Sequence, residues 1–156
     1  MESKFDIKVK SPSQLVYITK DGGVTISSEL DLANRENLWG VQCGKIFVAL
    51  KNSGFSDWPH AIHQEKVISP QWKISLPLED DLGDCYLAKA HFKETLEFLH
   101  IHGVDADDWL DGWHWSCEEQ GRDRVHTFDM LKGCYGTHDR YDSNGFVRFA
   151  LQRLPE

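Results

Sequence analysis

Alternating apolar and polar residues along most of the chain predict short β-strands. Residues 5–10 alternate with the period of a half-buried strand, and residues 14–19 resume the pattern after Pro12, which we expect to interrupt the strand. The Asp-Gly-Gly sequence at residues 21–23 suits a tight turn, so this region is predicted to form a β-hairpin. Further strands are predicted at residues 38–41, 45–50, 72–76, 113–117, 124–130 and 145–151, with a glycine turn at 133–136 and a loop or one helical turn within 28–37.

One segment has the apolar spacing of an amphipathic helix, from about residue 88 to residue 102. Phe92, Leu96 and Leu99 fall on one face of this helix, and Gly103 follows as a residue that commonly ends helices. Because strands outnumber this single main helix, we expect an α+β fold with a mostly antiparallel sheet. A length of 156 residues suits one domain spanning residues 1–156.

Two motifs follow the predicted helix. The sequence Trp-His-Trp-Ser-Cys-Glu occupies residues 113–118, and after a strand, a glycine turn and a polar segment comes Phe-Val-Arg at residues 146–148. This order resembles that of Lcl-type domains, a bacterial and phage family within the C-type-lectin-like fold. The resemblance covers residues 85–153 and implies a C-type-lectin-like fold with a binding function.

The negative charge is concentrated in one part of the chain. The net charge is −8, and residues 79–119 carry twelve acidic residues against only Lys89 and Lys93. This acidic band argues against direct nucleic-acid binding and favours a protein partner with a basic face. No apolar run approaches the about 20 residues needed to span a bilayer, and the first residues lack an apolar signal core. We therefore expect a cytoplasmic protein that does not bind membranes.

Histidines and carboxylates raise the question of a metal site. Two close pairs occur among eight histidines, His60 with His63 and His100 with His102. The first lacks the glutamate and helical spacing of zinc hydrolase motifs, and the second would lie on different faces of the helix. The acidic segment 105–111 supplies oxygen ligands suited to calcium, yet Leu110 stands where the EF-hand pattern needs glycine. No cofactor is predicted, and zinc and calcium are both left open. The four separated cysteines are expected to be reduced, buried thiols.

The candidate binding residues lie in two C-terminal segments. Trp109 is expected to be an exposed aromatic anchor, since acidic residues flank it, whereas Trp113 and Trp115 are expected to pack on the apolar face of the helix. The polar segment 135–144 would lie near the same end in a lectin-like fold. The full set of candidate site residues is Asp107, Asp108, Trp109, Asp111, Tyr135, His138, Asp139, Arg140 and Tyr141.

These patterns favour a non-catalytic, acidic binding module that recognises a protein with a basic face or a glycan. Nucleophile-elbow, phosphate-loop and dinucleotide-binding motifs do not occur. One alternative is a phage-type inhibitor, an anti-defence protein that presents carboxylates in place of phosphates to a nucleic-acid-binding enzyme. A second alternative is a metal-dependent enzyme that uses the histidine pairs.

Overall fold

β-strands predominate in residues 7–155, the part of the chain that the computed structural model describes. The strands are β1 Lys8–Ile18, β2 Val24–Asp31, β3 Leu38–Cys43, β4 Ile46–Ala49, β5 Phe55–Ser56, β6 Lys66–Val67, β7 Trp72–Ser75, β8 Trp113–Glu119, β9 Arg124–Asp129, β10 Cys134–Asp139, β11 Gly145–Phe146 and β12 Ala150–Arg153. The helices are α1 Trp58–His63, α2 Glu79–Leu87 and α3 Lys89–Ile101, with a 3-10 helix at Leu32–Asn37. The expected α+β class is confirmed. Across these residues, no helix combines the length and the apolar character needed to cross a bilayer.

The strands form two sheets. One has seven strands in the order β2-β1-β3-β4-β12-β7-β6, and the other has five in the order β10-β9-β8-β11-β5. Pairing is antiparallel throughout except between β11 and β8. The turn between β1 and β2 contacts the segment after β6. A Cβ added at Gly22 would lie only 2.1 Å from the carbonyl oxygen of Ile68, which shows how close the two backbones are. The seven-stranded sheet therefore curls until its two ends touch.

Helix α3 covers one face of the curled sheet and completes the larger core. Phe92, Leu96 and Leu99 are buried as the apolar spacing predicted, together with Leu15 and Val41 from the sheet. The second core lies elsewhere and contains no residue of α3. Its buried members are Trp58, Ala61, Leu76, Trp115, Val125, Val147 and Phe149.

Helix α2 corrects the expectation of one main helix. It precedes α3 and is separated from it by Ala88, whose backbone angles of φ −94° and ψ 9° lie outside the α-helical range. Three acidic residues occupy its first turn, where they interact favourably with the helix dipole. Leu82 and Cys85 anchor it in the larger core. Of the two alternatives for residues 28–37, a loop or one helical turn, the 3-10 helix corresponds to the second, although residues 28–31 belong to β2.

Three strand predictions differ from the structure. Pro12 does not end β1, because an irregularity in the pairing with β2 between Lys10 and Leu15 accommodates it. The expected turn at 133–136 is short: Gly133 has φ 73°, but Cys134 already begins β10. The closing strand is divided between β11 and β12, which belong to different sheets. Residues 5 and 6 of the first expected strand lie outside the described residues.

Candidate functional site

Trp109 belongs to the larger core, so the expectation that it is exposed is wrong. Only 6% of its surface is accessible. Its ring lies 6.3 Å from the ring of Phe92 and meets the ring of His114 edge-on at 5.2 Å. Trp109 thus takes the place against α3 that was expected for Trp113 and Trp115, because the loop after α3 folds back over the helix.

The acidic residues beside Trp109 hold their own loop in place. Asp107 accepts a hydrogen bond from the backbone of Asn52 at 3.1 Å and lies 3.4 Å from the ammonium of Lys51. Asp108 accepts from the backbone N–H of Trp109 at 2.8 Å. The Asp107 carboxylate attaches the loop to the segment after β4, the Asp108 carboxylate bonds within the loop, and Asp111 is exposed.

Residues 135–139 of the expected polar loop at 135–144 belong to strand β10, and two of its candidate residues support the fold. His138 stacks on Trp113, with ring centroids 3.6 Å apart, and burial lowers its pKa. Arg140 pairs with Glu119 at 2.5 Å, and its guanidinium lies 5.3 Å from the ring of Trp58. These contacts are satisfied within the protein, so His138 and Arg140 are poorly placed to bind a partner.

The candidate residues therefore occupy separate places in the fold. The loop containing Trp109 lies against the segment after β4, whereas residues 135–139 lie on an edge strand of the other sheet. Asp139 accepts a hydrogen bond from the backbone of Tyr141 at 2.9 Å and shapes the local turn. Tyr135 and Tyr141 remain as exposed aromatic candidates, with 55% and 68% of their surfaces accessible.

Tyr135 differs from Tyr141 because it lies against the acidic helix α2. Its ring meets Phe128 edge-on at 5.0 Å, and its hydroxyl donates to Asp80 Oδ1 at 3.4 Å. The approach is close because α2 has glycine beneath the ring: a Cβ added at Gly83 would lie 2.6 Å from the hydroxyl oxygen. Partial desolvation and the charge of Asp80 raise the pKa of Tyr135, so the hydroxyl stays protonated at neutral pH.

The surroundings of Tyr135 form one acidic and aromatic surface. Helix α2 carries four acidic residues and no lysine or arginine. The spacing along α2 places Asp80, Asp84 and Leu87 on one face of the helix. Beside this face, the rings of Tyr86 and Tyr135 both pack on Phe128. Leu131 is exposed in the turn between β9 and β10. We call this the α2–hairpin surface, formed by Asp80, Asp84, Tyr86, Leu87, Leu131 and Tyr135.

A small cavity of about 140 Å³ brings together groups that are far apart along the chain. Ser13 Oγ lies 2.8 Å from His91 Nε2, and Thr95 donates to Ser13 at 2.9 Å. Cys43 lines the same cavity. Ser13 and Thr95 are separated by 82 residues, so spacing along the chain held no signal. Within residues 7–155 no hydrogen bond or ion pair joins His91 to a carboxylate, so the serine and histidine lack the third member of a catalytic triad.

The histidine pair does not make a metal site. His60 bonds to Asp57 at 2.6 Å, and His63 is exposed on the same short helix. In the described range, no cluster of three or more histidine, cysteine, aspartate or glutamate side chains is arranged to hold a metal ion.

Comparison with protein-family models, with curated proteins and with solved structures gives no match for this chain. The surface around Tyr135 and the cavity beside Cys43 are thus the features from which function has to be argued.

Proposed function

We propose that this protein is a binding module that recognises a basic segment of a partner protein through the α2–hairpin surface. The observation that carries the proposal is the exposed ring of Tyr135, which lies against Asp80 of helix α2. This helix has four acidic residues and no lysine or arginine. Exposed tyrosines rimmed by charge are common anchors of protein interfaces. A lysine or arginine of the partner would extend along the tyrosine ring and pair with the carboxylates.

Charge favours a basic protein segment over a glycan. The net charge of −10 over residues 79–119 attracts cationic partners and raises their association rate at low salt. A neutral glycan gains nothing from that field. Binding to the α2–hairpin surface is therefore expected to weaken as salt screens the charges.

Ion pairs within the protein argue against a phosphate-mimicking inhibitor. Asp84 lies 3.6 Å from Lys45, and Asp105 and Asp107 both pair with Lys51. A long row of phosphates would need many unpaired carboxylates to imitate it. The acidic band is therefore better suited to a short basic segment beside Tyr135 than to a nucleic-acid-binding groove.

We also propose that residues 85–153 have a C-type-lectin-like arrangement. The support is the order of elements: helix α3, strand β8 with its tryptophans, strand β9 ending before Gly133, and the closing segment that contains Arg148. This order agrees with the motif order that suggested the Lcl-type resemblance. A binding function is typical of such a fold, although fold alone does not establish function.

A fluorescent peptide rich in lysine and arginine tests the proposed function by anisotropy titration. We expect Tyr135→Ala to weaken binding about fivefold to thirtyfold, as for the loss of an interface anchor. Asp80→Asn should weaken it less and flatten its salt dependence. The matched control is Tyr141→Ala, which removes a more exposed tyrosine that lies away from α2. Equal affinity for the wild type and Tyr135→Ala would refute the proposed site.

A further inference from the structure

Two buried thiols meet where strand β3 ends against helix α2. Cys85 Sγ donates to the carbonyl of Cys43 at 3.3 Å, and Cys43 Sγ lies 3.8 Å from the carbonyl of Cys85. The two backbones are close, because a Cβ added at Gly44 would lie 3.1 Å from the carbonyl carbon of Asp84. Both cysteines are free, and this proximity is compatible with the short Cα separation that a disulfide needs.

The two thiols differ in their access to solvent molecules. Cys43 lines the cavity of about 140 Å³, together with Ser13, Gln42, Gly44 and His91, whereas Cys85 is not among the lining residues. The volume of this cavity is sufficient for a molecule the size of hydrogen peroxide beside Cys43, which is otherwise buried. Cys85 contacts the backbone of Cys43 and is therefore the candidate for the second, resolving thiol.

The polar groups around the two cysteines shift the pKa values of their thiols in opposite directions. The pKa of Cys43 is lowered by the hydrogen bond from Cys85, by the indole N–H of Trp109 and by the charge of Arg148. Burial and the charge of Asp108 raise it, but by less. That Trp109 N–H is buried without a hydrogen-bond acceptor in the described part of the chain, so it is free to stabilise a thiolate. The same contact with Cys43, together with burial and Asp81, raises the pKa of Cys85.

We propose that Cys43 and Cys85 are a redox couple that reduces hydrogen peroxide and forms an intramolecular disulfide. In the first step the Cys43 sulfur attacks one peroxide oxygen, a sulfur–oxygen bond forms, the oxygen–oxygen bond breaks, and water leaves after protonation. In the second step the Cys85 sulfur attacks the Cys43 sulfur and a second water leaves. Two thiols and one hydrogen peroxide thus give one disulfide and two waters.

The disulfide has a structural consequence that is independent of partner binding. It joins β3 to α2 across 42 residues of sequence. Closing a loop of this length restricts the unfolded chain, so the oxidised protein should melt about 5–15 °C above the reduced protein. Reduction with a dithiol should reverse the shift.

Peptide mapping after peroxide treatment tests the redox couple. The starting protein carries Cys117→Ser and Cys134→Ser, which remove the half-buried and the exposed thiols. We expect one cross-linked peptide pair containing Cys43 and Cys85, in a protein that remains monomeric on non-reducing gels. With Cys85→Ser added, dimedone should label Cys43 as a sulfenic acid. With Cys43→Ser added instead, Cys85 should stay unmodified.

Absence of the Cys43–Cys85 cross-link in the folded starting protein would overturn the proposal. Equal peroxide reactivity of Cys85 with and without Cys43 would also overturn the assigned order of attack. Thermal melts of each variant show whether it is folded, and if a single-cysteine variant is not, the peptide map of the starting protein decides.

Discussion

Arg148 shows how a single residue holds the larger core together. It is buried, yet its guanidinium donates to the carbonyls of Ala49 at 2.7 Å and Leu50 at 3.2 Å. Its charge lies between the rings of Phe92 and Trp109, at 5.3 and 5.1 Å from their centroids. Burial lowers its pKa to about 10, which still leaves it cationic at neutral pH.

Replacing Arg148 tests this role. We expect Arg148→Met to lower the free energy of unfolding by about 3 kcal/mol, because the Ala49 carbonyl loses both guanidinium donors and the Leu50 carbonyl keeps only the backbone N–H of Asp107, while most of the apolar volume is kept. The control is Arg153→Met, which removes an arginine at a similar distance, 5.3 Å, from the ring of Trp72 near the chain terminus. Urea unfolding measures both, and similar losses would contradict the assigned role.

His114 makes stability depend on pH. Its side chain is buried against Trp109, and desolvation lowers its pKa to about 4 from the ordinary value of 6.5. Between these two pH values His114 is protonated in the unfolded chain and neutral in the folded protein. The free energy of unfolding therefore falls as the pH drops from 6.5 towards 4. At pH 5 the loss from this group is about 2 kcal/mol. Urea unfolding of the wild type and His114→Gln at neutral pH and at pH 5 measures it, and an unchanged acid sensitivity in the variant would contradict this explanation.

Helix α2 depends on a residue from another element. Leu78 precedes the helix and offers no side-chain cap, but Glu118 of β8 accepts a hydrogen bond from the backbone N–H of Glu79 at 2.7 Å. We expect Glu118→Ala to cost about 1–2 kcal/mol of unfolding free energy, and Glu118→Gln to cost less because its amide oxygen still accepts. Thermal unfolding compares the two, and equal losses would show that the hydrogen bond is unimportant.

This cap explains why the sequence predicts α3 but not α2. The apolar spacing of Phe92, Leu96 and Leu99 is a local signal, and it located α3 to within about a turn. The capping residue of α2 is 39 residues away, and its acidic first turn has the composition of a loop. Most strand positions could likewise be predicted from alternating apolar and polar residues. The division of residues 145–153 between two sheets depends on contacts that no local pattern encodes.

The contact between the turns at the two ends of the seven-stranded sheet is a property of the whole molecule, and two glycines test it. Gly22 and Gly54 both have positive φ, 88° and 78°. A Cβ at Gly22 would collide with the backbone of Ile68, whereas one at Gly54 would meet nothing within 4 Å. Gly54→Ala should cost about 1–2 kcal/mol for the backbone conformation, and Gly22→Ala at least about 1.5 kcal/mol more. Equal losses in urea unfolding would contradict contact between the two ends of the sheet.

The candidate site was only partly predictable, because its contacts join residues that are far apart along the chain. The acidic band was located by counting charges, and Tyr135 by its polar surroundings. Trp109 is buried although its flanking aspartates predict exposure, because Asp107 bonds to Asn52 and Lys51, which lie far away in sequence, and Asp108 bonds to the backbone of Trp109 itself. The association of Tyr135 with Asp80 spans 55 residues and becomes visible only in the folded chain.

The central claim, that the α2–hairpin surface binds basic segments, is tested most directly by amide NMR. The 15N-labelled protein is titrated with the lysine- and arginine-rich peptide, and the shift changes are assigned to residues. We expect the largest changes in residues 79–87 and 131–136. Changes concentrated in residues 105–111 or 140–144, or no changes at all, would contradict the claim.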